Sequence, residues 1–307
     1  MKKIIITFCI VFILFTSFII FLLSVSDDPD GDPPVKKQKI TYNFILLIDL
    51  SNRVSAKKFS DQVEKDLSLL DQIFNFFEKK IASDLYIYAQ DSMKITILPN
   101  NAASSMSSEL DFTIDYSQIG IHNKRDYFSQ KKKLIQSELN KIYQDASKKV
   151  YLSADIWKFF KEDLSYYLKK SNPNTQNFLF IITDGYMYSK TNICSKQNRY
   201  TYILSRNLSK FRNNNEWEKL FDSNDYAFLS VNKKFSSLNV LLLEVKPLEF
   251  FYNEFDIMKK FWSKWFKEMD IQQFEILKCF DNMNRETYYK NIEAFIYGKY
   301  ERNENNK

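Results

Sequence analysis

Residues 42–53, YNFILLIDLSNR, join an almost unbroken apolar run to an abrupt polar close at Asp49-Leu50-Ser51-Asn52-Arg53. A short run of β-branched, aromatic and leucine residues without alternation predicts a strand buried on both faces, as a parallel sheet covered by helices requires. The pattern returns at 177–182, NFLFII, closed by Thr183-Asp184-Gly185, and again at 238–245, LNVLLLEV. Between these runs lie helical periodicities. Phe59, Val63, Leu67, Leu70, Ile73, Phe74 and Phe77 recur at helical spacing over 59–81, with Ser60 or Asp61 available as a cap. Similar patterns occupy 126–147, 155–169, 254–269 and 285–297, and FEILKCF at 274–280 reads as a further strand. LYIYAQ at 85–90 and MKITILP at 93–99 flank Asp91-Ser92 and predict a hairpin. The fold class expected is therefore α/β: a Rossmann-like, mostly parallel central sheet with one antiparallel edge strand from that hairpin and helices on both faces. One domain over 40–298 accounts for these elements, with an insertion at about 186–237 and a polar tail at 299–307.

Composition agrees with a packed core. The 307 residues are 45% hydrophobic, 27% charged and 17% aromatic, which excludes a chain disordered throughout. A net charge of +6 arises from 44 Lys+Arg and 38 Asp+Glu dispersed along the chain, the pattern of a solvated surface rather than a nucleic-acid footprint. The single histidine, His122, removes most weight from multi-histidine zinc sites and from His-based acid–base chemistry. Of three cysteines, Cys9 lies in the apolar amino-terminal run, leaving Cys194 and Cys279 as the one disulfide available to the body.

The run from Ile4 to Val25 carries no charge, follows Lys2-Lys3 and precedes Asp27-Asp28. It is long enough to span a bilayer, and the flanking charges place the body on the extracytoplasmic side, periplasmic or at the cell surface. Cleavage as a signal peptide, releasing a secreted body, is the competing reading; residues 1–26 are anchor or signal in either case. Residues 27–39, DDPDGDPPVKKQK, read as a solvated linker.

Two of the buried runs end in acidic loops. If the first and fourth strands are neighbours at the switch point of an open α/β sheet, Asp49 and Asp184 converge where such sheets bind ligands. Two carboxylates with hydroxyls nearby make an oxygen-rich site suited to Mg²⁺, Mn²⁺ or Ca²⁺, since like charges at close range require a cation or a proton between them.

On these residues the body, roughly 40–298, resembles the von Willebrand factor type A domain, also called the integrin inserted domain. That family's metal-ion-dependent adhesion site combines an Asp-x-Ser-x-Ser loop after the first strand, a Thr from a later loop and an Asp after the fourth strand. The resemblance implies Asp49, Ser51 and Asp184 as metal ligands. It departs at Arg53, which stands at the second Ser, and at Ala154 in Tyr151-Leu152-Ser153-Ala154-Asp155-Ile156, where the Thr would fall. Ser153 after a one-residue shift, and Asp155, are the replacement ligands; Arg53 as a partner-binding residue, or as an internal counter-ion paired with Asp49, Asp155 or Asp184 in place of the metal, is the alternative.

The function implied is a membrane-anchored, extracytoplasmic protein-binding module whose divalent cation meets an acidic residue of a partner protein, with no small-molecule substrate and no nucleic acid. A metal-free envelope scaffold is the second reading, and Lys/Asn/Ile-rich usage suits a bacterial cell envelope. A Mg-dependent phosphoryl-transfer or hydrolytic enzyme ranks lower, because no Gly-rich phosphate loop, no second Asp two residues after Asp49 and no catalytic Lys motif occurs.

Overall fold

The computed structural model describes residues 39–304 apart from 56–60, 103–111, 150, 171–172, 249–250 and 282. The apolar run 4–25, most of the linker and the end of the tail lie outside the described residues; within them, no helix is long and apolar enough to cross a membrane. A compact unit begins at Ile40.

Its centre is a six-stranded sheet in the order β3-β2-β1-β4-β8-β9. Strand β1 (Thr41–Asp49) is buried along its whole length and pairs in parallel with both β2 (Ser92–Leu98) and β4 (Thr175–Ile182). Strand β8 (Leu238–Val245) continues the parallel array beside β4, and β9 (Gln273–Lys278) closes that edge. The apolar runs lack alternation because both faces are covered. Phe44, Leu46, Ile48, Phe178, Phe180 and Ile182 pack into one layer, and Ile45, Leu47, Leu179 and Ile181 into the other.

The first layer is covered by α1 (Gln62–Ser83), α2 (Lys124–Lys148) and α8 (Arg285–Glu304). The second holds a broken helix made of α3 (Ile156–Lys158), a π-turn (Phe159–Asp163) and α4 (Leu164–Tyr167), together with α7 (Glu254–Glu268). The aromatic stripe of α7 is core: Phe261, Trp262, Trp265 and Phe266 are buried, and the Trp262 indole donates to the Gly185 carbonyl at 2.9 Å.

The hairpin expectation is corrected. Residues 85–90 turn instead of pairing, with Leu85 and Tyr86 at φ 53° and 58°, and Tyr86 N–H bonds back to Ile81 O at 2.9 Å. A left-handed pair ends α1 and reverses the chain, so β2 arrives parallel to β1, in register from Asn43↔Ser92 to Asp49↔Leu98. The antiparallel edge strand is β3 (Thr113–Asp115), three residues from a stretch whose Ser/Asn content reads as loop. The alternation over 85–90 misled because Leu85 and Tyr88 are largely exposed, and Ala89, though buried in the core, forms no strand.

The 186–237 insertion is folded. It contributes α5 (Ser205–Leu208), α6 (Trp217–Ser223) and a small sheet β5-β6-β7 (Ser195–Lys196, Arg199–Tyr200, Ala227–Phe228). Phe211, Phe221 and Phe228 pack on Phe261 of α7, which supplies the apolar burial such an excursion needs. Arg199 fastens β6 to both Asp225 and Glu268. Cys194 is exposed and Cys279 half-buried; both are free thiols, so the disulfide is not formed.

Candidate functional site

Strands β1 and β4 are adjacent, so their carboxyl ends bring Asp49 and Asp184 together at the point where strand order reverses. Asp49 is fully buried. Its Oδ1 accepts from Ser51 N–H at 2.8 Å and its Oδ2 from the Thr183 hydroxyl at 2.8 Å. Thr183 Oγ1 accepts in turn from Gly185 N–H at 3.2 Å, and Asp184 Oδ1 accepts from Tyr186 N–H at 3.0 Å. Lys246 N–H donates to the Asp184 carbonyl at 2.9 Å, tying the loop to the end of β8.

Burial pushes the Asp49 carboxyl above its ordinary value against the pull of the Arg53 charge. Asp184 is pushed up to about 7, by burial first and then by the neighbouring Asp49, with Arg53 and Lys246 opposing. Burial and the Asp49 charge together disfavour the ionised form of Asp184.

Gly185 is required by both backbone and space. It has φ +91°, and a Cβ there would stand 2.6 Å from Met258 Cε and 2.9 Å from Val245 Cγ1. Gly185→Ala is expected to cost about 1–3 kcal/mol in a urea titration through overpacking and backbone strain. An unchanged midpoint would mean that the loop relaxes freely.

Arg53 is an internal counter-ion, but to a different acid from those expected. Its guanidinium is bidentate to Asp66 of α1, Nη1 to Oδ2 at 2.5 Å and Nη2 to Oδ1 at 2.8 Å, and Nη1 also reaches the Asp49 carbonyl at 3.2 Å. Burial opposes its charge, but Asp66 more than offsets this and holds the guanidinium above its ordinary pKa. Gln62 Nε2 and the Tyr143 hydroxyl complete the shell around Asp66 at 2.9 Å each, and Gln62 also bonds the buried Glu244 at 3.1 Å. The pairings of Arg53 with the side chains of Asp49, Asp155 or Asp184 are replaced by this one. Asp66 was findable: Gln62 and Asp66 lie on the same helical stripe as Leu69, Leu70 and Ile73, and a charge on an apolar stripe needs a buried partner.

Above Asp184 lies a cavity of about 200 Å³. Its lining includes Ser51, Arg53 and Asp184 from the expected set, and Leu152, Tyr186, Tyr188, Leu204 and Leu248, which sequence reading did not single out. Leu152 and Leu248 form an exposed apolar rim, 52% and 48% accessible. Ala154 presents its methyl group to the same space, its backbone bridged to Tyr188 across a 2.9 Å bond. Ser153 is not part of this lining, and Asp155 is turned to other work: its Oδ1 caps Lys158 N–H at 2.9 Å and accepts from Asn192 Nδ2 at 3.2 Å.

A divalent cation is therefore a poor fit to the side chains present. Both Asp49 oxygens already accept hydrogen bonds, Asp155 is engaged by Lys158 N–H and Asn192, and among the described residues no three acidic, His or Cys side chains converge.

No family model matches the chain, and no curated protein sequence matches it. Among solved structures, the chain is similar to the pilus adhesin SpaC of Lactobacillus rhamnosus GG in its open conformation, at 12% identity and a TM-score of 0.40, over 84% of this chain and 30% of the adhesin. A second structure of that adhesin gives 11% identity and a TM-score of 0.37, over 84% and 31%. The chain thus spans about a third of the length of the protein it overlaps.

Proposed function

We propose that this chain is an extracytoplasmic binding module, not an enzyme, and that it holds a protein partner at the carboxyl end of the sheet. The observation that carries this reading is the cavity over Asp184, at the switch point of the sheet and framed by the exposed Leu152 and Leu248. The charge-flanked apolar run at 4–25 supports attachment at a membrane surface.

The test is site-specific photo-crosslinking in the producing cell. A photoreactive residue at Leu248 is expected to capture a discrete partner. One at Tyr166, 85% exposed and beside Tyr167, whose carbonyl bonds Asn43 near the amino end of β1, is expected to capture none. Identical capture from both positions would remove the reading.

Binding through this face is taken to be metal-free. Arg53, held by Asp66, is a fixed cation where the family places a hydroxyl ligand. The thermal midpoint of the chain is expected to be the same in EDTA and in excess Mg²⁺, Mn²⁺ or Ca²⁺, because an ion that binds only the folded state must raise it. A rise that disappears in Asp184→Ala would restore capture of an acidic partner residue through the metal.

A further inference from the structure

The cavity joins three features. Its floor carries Asp184, with Asp49 buried behind it at the ends of adjacent strands. Its walls combine Tyr186, Tyr188, Leu204 and Ala154 with the polar Ser51, Asn52 and Ser205, and Leu152 and Leu248 are its exposed apolar members. The one cation in the lining, Arg53, already has its charge matched by the bidentate pair with Asp66.

Asp184 uses Oδ1 for the Tyr186 N–H, and among the described residues no hydrogen bond is made to its Oδ2. Asp49, by contrast, has both oxygens occupied by Ser51 and Thr183. An acidic group from a partner would enter beside Asp184 and Asp49, whose nearest cation Arg53 is already matched by Asp66, and like charges at that range repel. A cation on an aliphatic stem meets the opposite situation, with methylene groups against Leu152, Leu248 and the tyrosine rings and charge against Asp184.

Resting on the binding-face reading above, we propose that the cavity takes a basic side chain, lysine or arginine, from the protein partner. The volume of about 200 Å³ admits one such side chain but not a folded segment. The overall charge of +6 disfavours indiscriminate attraction of basic peptides, so recognition must come from the cavity itself.

The experiment uses the full chain in detergent micelles and two blocked tripeptides, Gly-Lys-Gly alone and Gly-Glu-Gly with excess Mg²⁺. The rise of the unfolding midpoint with peptide concentration gives the affinity. The lysine peptide is expected to raise the midpoint saturably and the glutamate peptide to leave it unchanged.

Asp184→Asn is expected to weaken the lysine peptide roughly tenfold or more, the effect of losing a charged hydrogen-bond acceptor. Leu248→Lys, at an exposed rim position, places a competing ammonium at the mouth and is expected to weaken it as well. It keeps the test decisive should the Asp184 variant fail to fold. Equal lysine-peptide binding by parent and both variants would overturn the proposal. A response to the glutamate peptide with Mg²⁺ alone would overturn it while leaving the binding face intact, and no response to either peptide would remove both.

Discussion

Asp66→Ala is expected to destabilise the folded body by about 3–5 kcal/mol, read as the loss of unfolding free energy in a urea titration. The carboxylate is fully buried and receives two bonds from Arg53 at 2.5 and 2.8 Å, one from Gln62 and one from Tyr143, each at 2.9 Å. Removing it leaves a guanidinium inside the protein without a counter-charge and strands two further donors, and the cost of the unpaired charge dominates. The effect should reach the candidate site, because Arg53 Nη1 also bonds the Asp49 carbonyl at 3.2 Å and so shapes the loop that carries Ser51.

The double variant Arg53→Met with Asp66→Leu, which removes both charges and refills the volume, is expected to recover most of the loss. A cost below about 1 kcal/mol for Asp66→Ala, the range of exposed pairs, would show that water reaches this ion pair.

Asp184→Asn is expected to act in the opposite direction and to stabilise the protein at alkaline pH. In the unfolded chain Asp184 ionises near its ordinary 3.8, whereas in the folded protein burial and then Asp49 push it up to about 7, against Arg53 and Lys246. A carboxyl whose folded pKa is raised favours folding in its protonated form. That contribution is fully present below about pH 4 and is lost as pH rises through about 7. Asparagine keeps an oxygen for the Tyr186 N–H and carries no charge, so it removes the penalty.

At about 1.4 kcal/mol per pH unit, and allowing for the partial exposure of Asp184, the variant should exceed the parent by about 2–4 kcal/mol at pH 8 and match it near pH 4. Urea titrations at the two pH values measure this directly. Equal stability of variant and parent at pH 8 would mean that Asp184 ionises as an ordinary surface carboxylate.

These two acids mark the boundary of what the linear chain discloses. The apolar runs that became β1, β4 and β8 were legible because a strand covered on both faces must be apolar at every position, a property written in consecutive residues. The α/β class followed from those runs, while the meeting of Asp49 with Asp184 depended on β1 and β4 being neighbours, which the sheet supplies. The helices were legible for the same kind of reason, since the period of their apolar residues records one buried face.

Pairing was a different matter. Residues 85–90 alternate well enough for a strand, but the left-handed turn at Leu85 and Tyr86 is set by how α1 must end for β2 to reach β1 in parallel. The three-residue strand Thr113–Asp115 exists only because β2 offers it an open edge.

The site shows the same division. That the chain places an acid after β1 and another after β4 is a fact of sequence, as is the presence of Arg53 and Ala154 near them. Which acid neutralises Arg53 depends on the packing of α1 against the end of β1, which brings in Asp66, thirteen residues along the chain, while Asp155 is spent on capping α3. The cavity walls come from 152, 186, 188, 204 and 248, positions scattered over three connections. Local order is encoded by neighbours in the chain and can be read there. A buried charge chooses its partner, and a cavity its walls, only when distant segments exclude water together, and tertiary structure alone decides that.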